Sequence, residues 1–432
     1  MEHHESSAAS RAASMERLVK EVRSAGNCSH PVRLRGELIN LATGEIRPSS
    51  LRVACKDRRS VHCLSCSALY QADAWIQVAV GLNGGKGVPE SVATHPQVFL
   101  TLTAPSFGPV HRRTPSGRCQ VREYGPCPHG RSLRCRLRHD NNADVLGTPI
   151  CEECFDYSRA VLWNAQCSKL WNRTVQEMRR RLKVLATKND TESNHVSLSY
   201  LKVAEFQRRG LVHFHVVLRL DGGGDQISPP PPWLSSSMLA NIVSTTVPHV
   251  HWTGHDGHDV VWGEQFDLAD LTSSGEHHRR IASYLAKYAT KTTDDSLGLA
   301  RRFRSRADIE HAQVEPHRMK LALTSWDLAQ RPEFAPLRLA HHAHALGYTG
   351  QIITKSRHFS VTFASLREVR ADFQRSRSDG DPTLAHLHYD GRGYDDPRAP
   401  HAAEMFHRMK VELRQEAAAR RRQVAAAVEV DQ

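Results

Sequence analysis

All ten cysteines of the chain lie within its first 167 residues, and this clustering constrains the fold more than any other feature. Four of them form two Cys-x-x-Cys pairs, Cys63–Cys66 and Cys151–Cys154. Such a pair presents two thiolates to one Zn²⁺ from a single turn, and two further ligands complete the tetrahedron. A reducing cytoplasm keeps thiols free, so the pattern favours metal sites over disulfides. The sequence therefore predicts segments that are held together by metal ions.

About two structural zinc ions are expected from the cysteine spacing. The two predicted ligand groups are Cys28, Cys55, Cys63 and Cys66, and Cys127, Cys135, Cys151 and Cys154. Nearby histidines that offer substitute ligands are His62, His129 and His139. Cys119 and Cys167 belong to neither group, and we expect each to be a small buried hydrophobic residue.

The charge and length of the chain narrow the class of protein. Its 432 residues predict two or three domains at about 150 residues per domain. Lys and Arg number 58 against 46 Asp and Glu, which gives a formal net charge of +12. This excess favours a polyanionic partner such as nucleic acid, although a solvated surface carries similar charge. The chain begins without an apolar core and holds no run of ~18 apolar residues, so we expect a cytoplasmic protein with no membrane partner.

Five segments follow from changes in composition and hydrophobic pattern. They are a mobile leader at 1–27, an N-terminal zinc-binding segment at 28–98, a main domain at 99–295 with a zinc-binding insertion at 119–156, a C-terminal part at 296–370 with a candidate role in DNA binding, and a charged tail at 371–432. In the main domain the pattern predicts strands at 99–105, 196–206 and 213–220 and helices at 158–188 and 277–291. This order indicates an α+β fold with a largely antiparallel sheet.

The strand Leu211–Leu220 carries His213 and His215, which its period of two places on one face. Two imidazoles side by side on a strand form half of a site for a divalent cation, although such a pair alone often has no function. The preceding strand ends in Glu205-Phe-Gln207, and a three-residue loop at 208–210 is expected to place Glu205 opposite His215 and Gln207 opposite His213. Glu205 is thus a conditional third ligand, and the alternative is an exposed strand carboxylate.

Tyr284 and Tyr288 are four residues apart in the helix at 277–291, so both phenols project from one face. Each begins a Tyr-x-x-Lys motif, ending in Lys287 and Lys291. A phenol can attack a phosphodiester and hold the 5′ phosphate covalently, and a nearby ammonium is expected to stabilise the phosphoryl charge and to lower the pKa of the phenol. The alternative is that both tyrosines are core residues of an amphipathic helix.

Together these motifs resemble those of the HUH endonuclease superfamily, whose His-hydrophobic-His signature corresponds to His213-Phe214-His215. More closely, the chain is similar to the RepSA replication initiators of actinobacterial plasmids and integrative elements. The similar segments are GGKGVPESVATHPQVFLTLTAPSFGPVH, CPHG, LKVAEFQRRGLVHFHVVLRLDG, IASYLAKYATK and LGYTGQIITKSRHFSVTF. They extend from about Cys28 to Phe373 and leave only the leader and the last sixty or so residues outside.

The resemblance implies an HUH core, which is an antiparallel ferredoxin-like sheet with helices on one face, in residues 99–295. It also implies rolling-circle initiation, in which one strand is nicked at the double-strand origin through a phosphotyrosine and later rejoined. The implied catalytic residues are Tyr288 as first nucleophile, Tyr284 as its partner, Lys287 and Lys291. His213 and His215 are the implied ligands of Mg²⁺ or Mn²⁺, with Glu205 as the conditional third ligand. Candidate DNA contacts are Arg208, Arg209, Arg279 and Arg280. Host helicase and polymerase are expected partners, since the sequence has no Walker loop.

Two other functions fit the same sequence. One is a zinc-containing DNA-binding regulator in which the histidine pair and the tyrosines are core residues. The other is a conjugative relaxase or a transposase that uses the same site. The dense histidine group between His249 and His258 has no predicted role.

Overall fold

The computed structural model describes residues 2–119, 125–271, 275–290, 302–376 and 383–430. The chain divides into a terminal unit, residues 1–72 with 366–432, and a central unit, residues 73–365. Among the described residues, no helix combines the length and the apolar character that crossing a membrane requires.

The helices and strands, in chain order, are α1 (Glu2–Ser24), β1 (Val32–Asn40), β2 (Ile46–Val53), α2 (Leu64–Asn83), β3 (Gln97–Leu102), α3 (Tyr157–Lys188), β4 (Ser197–Phe206), β5 (Val212–Asp221), α4 (Ser236–Thr246), β6 (His251–Thr253), β7 (Asp259–Val261), β8 (Phe266–Asp270), α5 (Gly275–Thr290), α6 (Arg306–Glu310), α7 (Pro316–Leu328), β9 (Ile353–Lys355), α8 (Phe363–Arg375), β10 (Thr383–Arg392) and α9 (Ala399–Val430). Short 3-10 helices lie at 90–94, 193–195, 332–337 and 339–345.

The terminal unit joins the two ends of the chain. Its antiparallel sheet has the order β10-β1-β2. Leu18 and Val22 of α1 are buried together with Ala399 and Ala403 of α9. The second half of the segment predicted as a mobile leader is thus a packed helix, and the predicted tail contains a strand, β10. The spacing of Leu18 and Val22 on one face of α1 explains this difference, because these residues pack against a helix that begins about 380 residues later.

The central unit contains a five-stranded antiparallel sheet with the order β8-β3-β5-β4-β9. The prediction of an α+β fold with antiparallel strands is confirmed. One face of the sheet packs on α3, where the ring centroids of Trp171 and Phe214 are 6.4 Å apart. The apolar period of α3 is confirmed as well, since Trp171, Met178 and Leu182 are all buried.

Helix α5 lies on the opposite face of this sheet, because its Tyr284 contacts His215, which points away from α3. Three polar contacts fix its position. The ring of His278 lies 2.8 Å from the side-chain oxygen of Asn83 and 2.8 Å from the main-chain oxygen of Leu271. The indole of Trp75 donates to the hydroxyl of Ser283 at 3.2 Å. Both faces of the sheet are thus covered within the central unit.

Residues 103–156 form an insertion between β3 and α3 that, in its described part, contains neither a helix nor an extended strand. Isolated backbone bridges hold it, including Val110 with Pro149 and Arg118 with Arg138. The insertion returns to the sheet where Gly147 meets the β4–β5 loop. A Cβ at Gly147 would lie 2.6 Å from the main-chain carbon of Arg208, so the close approach requires glycine.

The buried side chain of Asn164 ties the β4–β5 loop to α3. Its amide donates to the carbonyl oxygens of Gly210 at 2.9 Å and Leu346 at 3.0 Å. Its oxygen accepts from the N–H of Val212 at 3.1 Å. Three main-chain groups near the start of β5 therefore depend on one side chain.

We expect Asn164→Ala to lower the free energy of unfolding by about 2–4 kcal/mol, because buried main-chain groups lose their partners at about 1–3 kcal/mol each. Chemical denaturation measures the change. The control is Asn241→Ala in α4, where the side chain is exposed, and it should change the stability by less than about 0.5 kcal/mol. Equal effects of the two substitutions would contradict the role of Asn164.

Candidate active site and metal clusters

His213 and His215 lie on β5, the middle strand of the five-stranded sheet, on the face that α5 covers. Their ring centroids are 5.1 Å apart with an interplanar angle of 30°. Phe214 between them points into the core against α3. The period of two that the sequence predicted is therefore confirmed, and the backbone of one strand joins the histidine pair to the core.

The predicted register of the β4–β5 hairpin is wrong by two residues. The structure pairs Glu205 with His213 and Val203 with His215. The loop has the predicted three residues, since the N–H of Gln207 donates to the carbonyl oxygen of Leu211 at 2.8 Å. Counting back from that pair places residue 205 opposite residue 213. A shift of two keeps Glu205 on the histidine face, and only a shift of one would have moved it away.

Glu205 still contacts His215, because neighbouring side chains on a sheet also meet diagonally. The Oε2 atom of Glu205 is 2.9 Å from Nε2 of His215. On the other side of this ring, the hydroxyl of Thr101 lies 3.3 Å from Nδ1. His215 is thus held at both ring nitrogens.

His213 has a different environment. Its Nδ1 lies 3.0 Å from the amide nitrogen of Gln207, while its Nε2 is buried and has no hydrogen-bond partner among the residues that the structure describes. Burial, and then the neighbouring His215 and Arg209, lower the pKa of His213 to about 3. The imidazole is therefore neutral near pH 7, which is the form that binds a metal ion.

Both tyrosines of α5 lie beside the histidine pair. The hydroxyl of Tyr284 is 3.5 Å from Nε2 of His215. The ring of Tyr288 is 5.3 Å from the ring of His215 and 4.6 Å from the ring of Tyr284, measured between centroids. With 40% of its surface exposed, Tyr284 is not a core residue. The two phenols and the two imidazoles therefore form one cluster.

The electrostatics of Tyr284 differ from the expectation. Burial, followed by the adjacent Tyr288 and by Glu205, raises the pKa of Tyr284 above its ordinary value. The predicted lowering by a lysine is wrong for this phenol, because the exposed Lys287 is screened by solvent. Lys291, the other predicted ammonium, lies outside the described residues. Tyr284 is thus protonated near pH 7.

The arginines of the β4–β5 loop bind main-chain oxygens. Arg209 donates to the carbonyl oxygens of Ala104 at 2.9 Å and Pro105 at 3.0 Å and to the side-chain oxygen of Gln207 at 2.9 Å. Arg208 donates to the carbonyl oxygen of Asn141 at 2.9 Å. Arg209 therefore orders Gln207, which in turn contacts His213, while Arg208 connects the loop to the insertion.

The two arginines predicted on α5 are exposed. Arg279 and Arg280 lie with Tyr284 and Lys287 along an open surface of the helix. Arg280 forms an exposed ion pair with Glu276 at 2.6 Å.

Among the described residues, cysteine and histidine side chains come together in three clusters, each with four ligand atoms within 4.8 Å of one another. The first cluster is Cys28, Cys55, Cys63 and Cys66; the second is Cys127, His129, Cys151 and Cys154; the third is His111, Cys119, Cys135 and His139. The first lies in the terminal unit and the other two lie in the insertion. Each combination of ligands is able to hold a metal ion such as zinc.

The first cluster unites the four cysteines that the sequence grouped. The Sγ atoms of Cys28 and Cys63 are 3.8 Å apart. Two thiolates bound tetrahedrally to one zinc ion at 2.3 Å are also about 3.8 Å apart. The N–H of Cys55 donates to the Sγ of Cys28 at 3.2 Å, a contact that stabilises a thiolate.

The second cluster contains His129 where the sequence assigned Cys135. The Nδ1 atom of His129 lies 3.3 Å from the Sγ of Cys154 and 3.8 Å from the Sγ of Cys151. A tight turn closed by the bridge between Pro126 and Ser132 brings His129 back to this cluster. Cys135 lies beyond that turn and belongs to the third cluster instead.

The third cluster corrects the prediction for Cys119, which is a half-buried neighbour of three possible ligands and not a core residue. The four ligands are spread over 29 positions and include no Cys-x-x-Cys pair. Apart from their residue types, the sequence therefore contains no pattern from which this cluster could have been predicted. Cys167, by contrast, is buried in α3 as expected. The histidines between His249 and His258 are exposed around the β6–β7 hairpin and belong to none of the three clusters.

The buried His317 of α7 supports the β4–β5 loop. Its Nε2 lies 3.1 Å from the main-chain oxygen of Arg209, and its Nδ1 lies 3.0 Å from the hydroxyl of Tyr157. Burial lowers the pKa of His317 to about 4. An unfolded histidine has a pKa of about 6.5, so the unfolded state binds more protons between pH 4 and pH 6.5. Stability from this group is present above pH 6.5 and is lost as the pH falls.

We expect the melting temperature of the wild type to fall by a few degrees more than that of His317→Gln between pH 7.5 and pH 5, because neutral burial of His317 contributes about 2 kcal/mol over this interval. Differential scanning calorimetry of both proteins measures this. The exposed His249→Gln serves as control and should follow the wild type. Parallel curves for His317→Gln and the wild type would contradict the assignment.

Comparisons with known proteins show the family to which the sequence is similar. The model of the RepSA family, described as the replication initiator protein of pSAM2, matches residues 14–429. A replication initiator protein of Streptomyces ambofaciens is 33% identical over 391 residues, which cover 84% of this chain and 82% of the relative. No solved structure matches the chain.

Proposed function

We propose that this chain, which belongs to the RepSA family of replication initiator proteins, nicks one strand of its origin DNA through a phosphotyrosine and later rejoins it, as in rolling-circle replication. One observation supports this most: two phenols of α5 lie against a histidine pair on the middle strand of an antiparallel sheet. In this proposal residues 99–295 form an HUH nicking domain. The activity is that of a metal-dependent, site-specific endonuclease and strand transferase.

His213, His215 and Glu205 are the proposed ligands of a catalytic Mg²⁺ or Mn²⁺ ion. The buried Nε2 of His213 has no hydrogen-bond partner in the described part of the chain, which fits a ligand position. The 2.9 Å between the Glu205 oxygen and Nε2 of His215 is close to the roughly 3.0 Å between adjacent ligands of an octahedral ion at 2.1 Å. An ion bound there neutralises charge on the scissile phosphate.

Gln207 is proposed to orient His213. A neutral histidine that binds metal through Nε2 carries its proton on Nδ1 and needs an acceptor there. In the structure the Gln207 amide nitrogen lies 3.0 Å from Nδ1, because Arg209 donates to the amide oxygen. To become the acceptor, the amide has to turn its oxygen towards the ring, so metal binding at His213 is proposed to release the bond from Arg209.

In the nicking step the phenol oxygen of Tyr288 attacks phosphorus in line with the bond to the 3′ oxygen. The new tyrosine–phosphorus bond forms as that bond breaks, the phenol loses its proton, and the departing 3′ oxygen gains one. The 5′ end stays on the protein, and the free 3′-OH primes a host polymerase while a host helicase separates the strands. Because the bond energy is kept in the phosphotyrosine, no nucleotide is needed for rejoining.

Tyr284 is the proposed second nucleophile. It lies 4.6 Å from Tyr288 between ring centroids, so both phenols can reach one phosphate position. Its raised pKa makes Tyr284 harder to deprotonate than an ordinary phenol, which fits a nucleophile that acts in a later step. Lys287 follows it by three residues on the same helix. Resolving a second strand transfer requires two such nucleophiles.

Zinc is the proposed ion of the first and second clusters, where it has a structural role. Zinc fits thiolate-rich tetrahedral sites, and a closed set of four protein ligands leaves no position for a substrate. These ions stabilise segments whose few apolar residues form little core.

To test the nucleophile, a single strand spanning the origin and labelled at its 3′ end is incubated with the protein and Mn²⁺ or Mg²⁺. We expect a labelled adduct that survives denaturant and that Tyr288→Phe abolishes. Tyr284→Phe should form the adduct and fail to terminate. The exposed Tyr389→Phe of the terminal unit is the matched control and should behave as the wild type.

A parallel reaction with a 5′ label should release a shorter strand whose 3′-OH a polymerase extends. Loss of the first nick in Tyr284→Phe would reverse the order of the tyrosines. Binding without any adduct would favour the DNA-binding regulator. Nicking followed by transfer to a new strand, without replication, would favour a relaxase or a transposase.

For the metal ligands, we expect Gln207→Leu to raise the Mn²⁺ concentration for half-maximal nicking by about 10- to 100-fold. Loss of the hydrogen-bond partner of a metal-binding histidine lowers metal affinity by this factor. Glu205→Gln should act in the same direction. Titration of the nicking rate with Mn²⁺ measures both, and Gln77→Leu of α2 provides a matched glutamine control. A lower maximal rate with an unchanged Mn²⁺ requirement would argue against a metal-related role of Gln207.

A further inference from the structure

We propose that the third cluster, His111, Cys119, Cys135 and His139, binds one zinc ion and that this ion fixes Arg112 and Arg113 at the wall of a cleft that receives the DNA strand beside the nicking site. The zinc site stands on its own geometry. The role in DNA binding rests on the proposed function.

Ligand distances in this cluster fit a tetrahedral ion. The Sγ of Cys119 is 3.8 Å from Nδ1 of His111, and the Sγ of Cys135 is 3.4 Å from Nε2 of His139. A thiolate and an imidazole on one zinc ion, at 2.3 and about 2.05 Å, are about 3.6 Å apart. The two imidazole planes are nearly perpendicular, at 86°, so their nitrogens converge from different directions.

Main-chain contacts hold these ligands without the help of a core. The N–H of His139 donates to the carbonyl oxygen of Gly117 at 2.8 Å, and Arg118 bridges to Arg138. The N–H of Arg112 donates to the Sγ of Cys119 at 3.4 Å, as expected for a thiolate. Leu137, between Cys135 and His139, is 67% exposed. With so little apolar burial, the segment depends on the ion for its order.

The cleft lies between the insertion, the β4–β5 loop and residues 261–265. Its lining includes Arg112, Arg113, Arg208, Gln207, Gly147 and Trp262. Glu264 is the single acid among the residues that line it. Positive charge of this kind favours a polyanion, and a single nucleic acid strand carries one phosphate per nucleotide.

Arg112 and Arg113 are the exposed cations of this wall. Within the described part of the chain, neither guanidinium pairs with a carboxylate, and Arg113 uses one donor on the carbonyl oxygen of His139 at 2.9 Å. The guanidinium of Arg209, in contrast, already donates hydrogen bonds to carbonyl oxygens. Arg112 and Arg113, which follow the zinc ligand His111 in the sequence, are therefore the residues that contact phosphates in this proposal.

Gln207 connects the cleft to the proposed nicking site, because it lines the cleft and contacts His213 at 3.0 Å. A strand whose scissile phosphate lies at the histidines would continue along Arg112 and Arg113. Because these residues lie directly between two zinc ligands, His111 and Cys119, the ion determines where their main chain runs.

Metal analysis tests the site. Purified wild type should contain three zinc ions per chain and Cys119→Ser two, with the buried Cys167→Ala retaining three. His139→Gln is a second variant that removes a different ligand, and circular dichroism verifies that each variant folds. Replacement of zinc by Co²⁺ should add the absorption of a tetrahedral two-thiolate site in the wild type, which Cys119→Ser lacks. Two zinc ions in the wild type, or three in Cys119→Ser, would overturn the site.

Fluorescence anisotropy with a labelled origin single strand tests the cleft. We expect Arg112→Ala/Arg113→Ala to keep three zinc ions, to bind about 10-fold more weakly, and to reduce the salt slope by roughly 1.4, or 0.7 per lost phosphate contact. Cys119→Ser should weaken binding to a similar degree. The control Lys169→Ala/Arg173→Ala removes two exposed charges from α3 and should leave binding unchanged.

These outcomes separate the inference from the proposed function. Loss of zinc with unchanged binding would refute the role of the ion, and unchanged binding in the arginine variant would refute the cleft. Binding that depends on the arginines, combined with no adduct from the wild type, would refute nicking and leave the cleft intact.

Discussion

The geometry of the candidate site depends on β5 being the middle strand of its sheet. Hydrogen bonds to β3 and β4 on both sides fix its register, and Phe214 is buried against α3. The histidines on either side of Phe214 therefore cannot move independently of the core. A strand with one face in the core and the other beneath a helix gives two imidazoles the rigidity that a shared ligand requires.

Around this strand, positioning passes through short chains of polar contacts. Arg209 contacts Gln207, which contacts His213. The ring of His317 in turn contacts the main-chain oxygen of Arg209. The loop that carries two of these residues is anchored in turn by Asn164. Each contact contributes about 1 kcal/mol to stability. Each also restricts the orientation of the side chain that makes the next contact.

Much of this arrangement was predictable from sequence, because it follows from local periods. Alternation on β5 identified the histidine face, the four-residue spacing placed Tyr284 and Tyr288 together, and the Cys-x-x-Cys pair at Cys63 located the first cluster. The third cluster was not predictable because its four ligands include no Cys-x-x-Cys pair. The packing of α1 on α9 was not predictable because it joins residues about 380 positions apart. Burial raised the pKa of Tyr284, and desolvation of this kind depends on packing that no spacing encodes.

The pairing of the two chain ends in the terminal unit also affects the order of folding. The central unit has all its residues once position 365 is made, whereas the terminal unit needs β10 and α9. Domains fold on the ribosome as their sequence emerges. The sheet with the histidines can therefore form before β10 and α9, the partners of the first seventy residues, have been synthesised. A truncated product would then consist of a folded central unit and an incomplete terminal unit, with β1 exposing an unpaired edge.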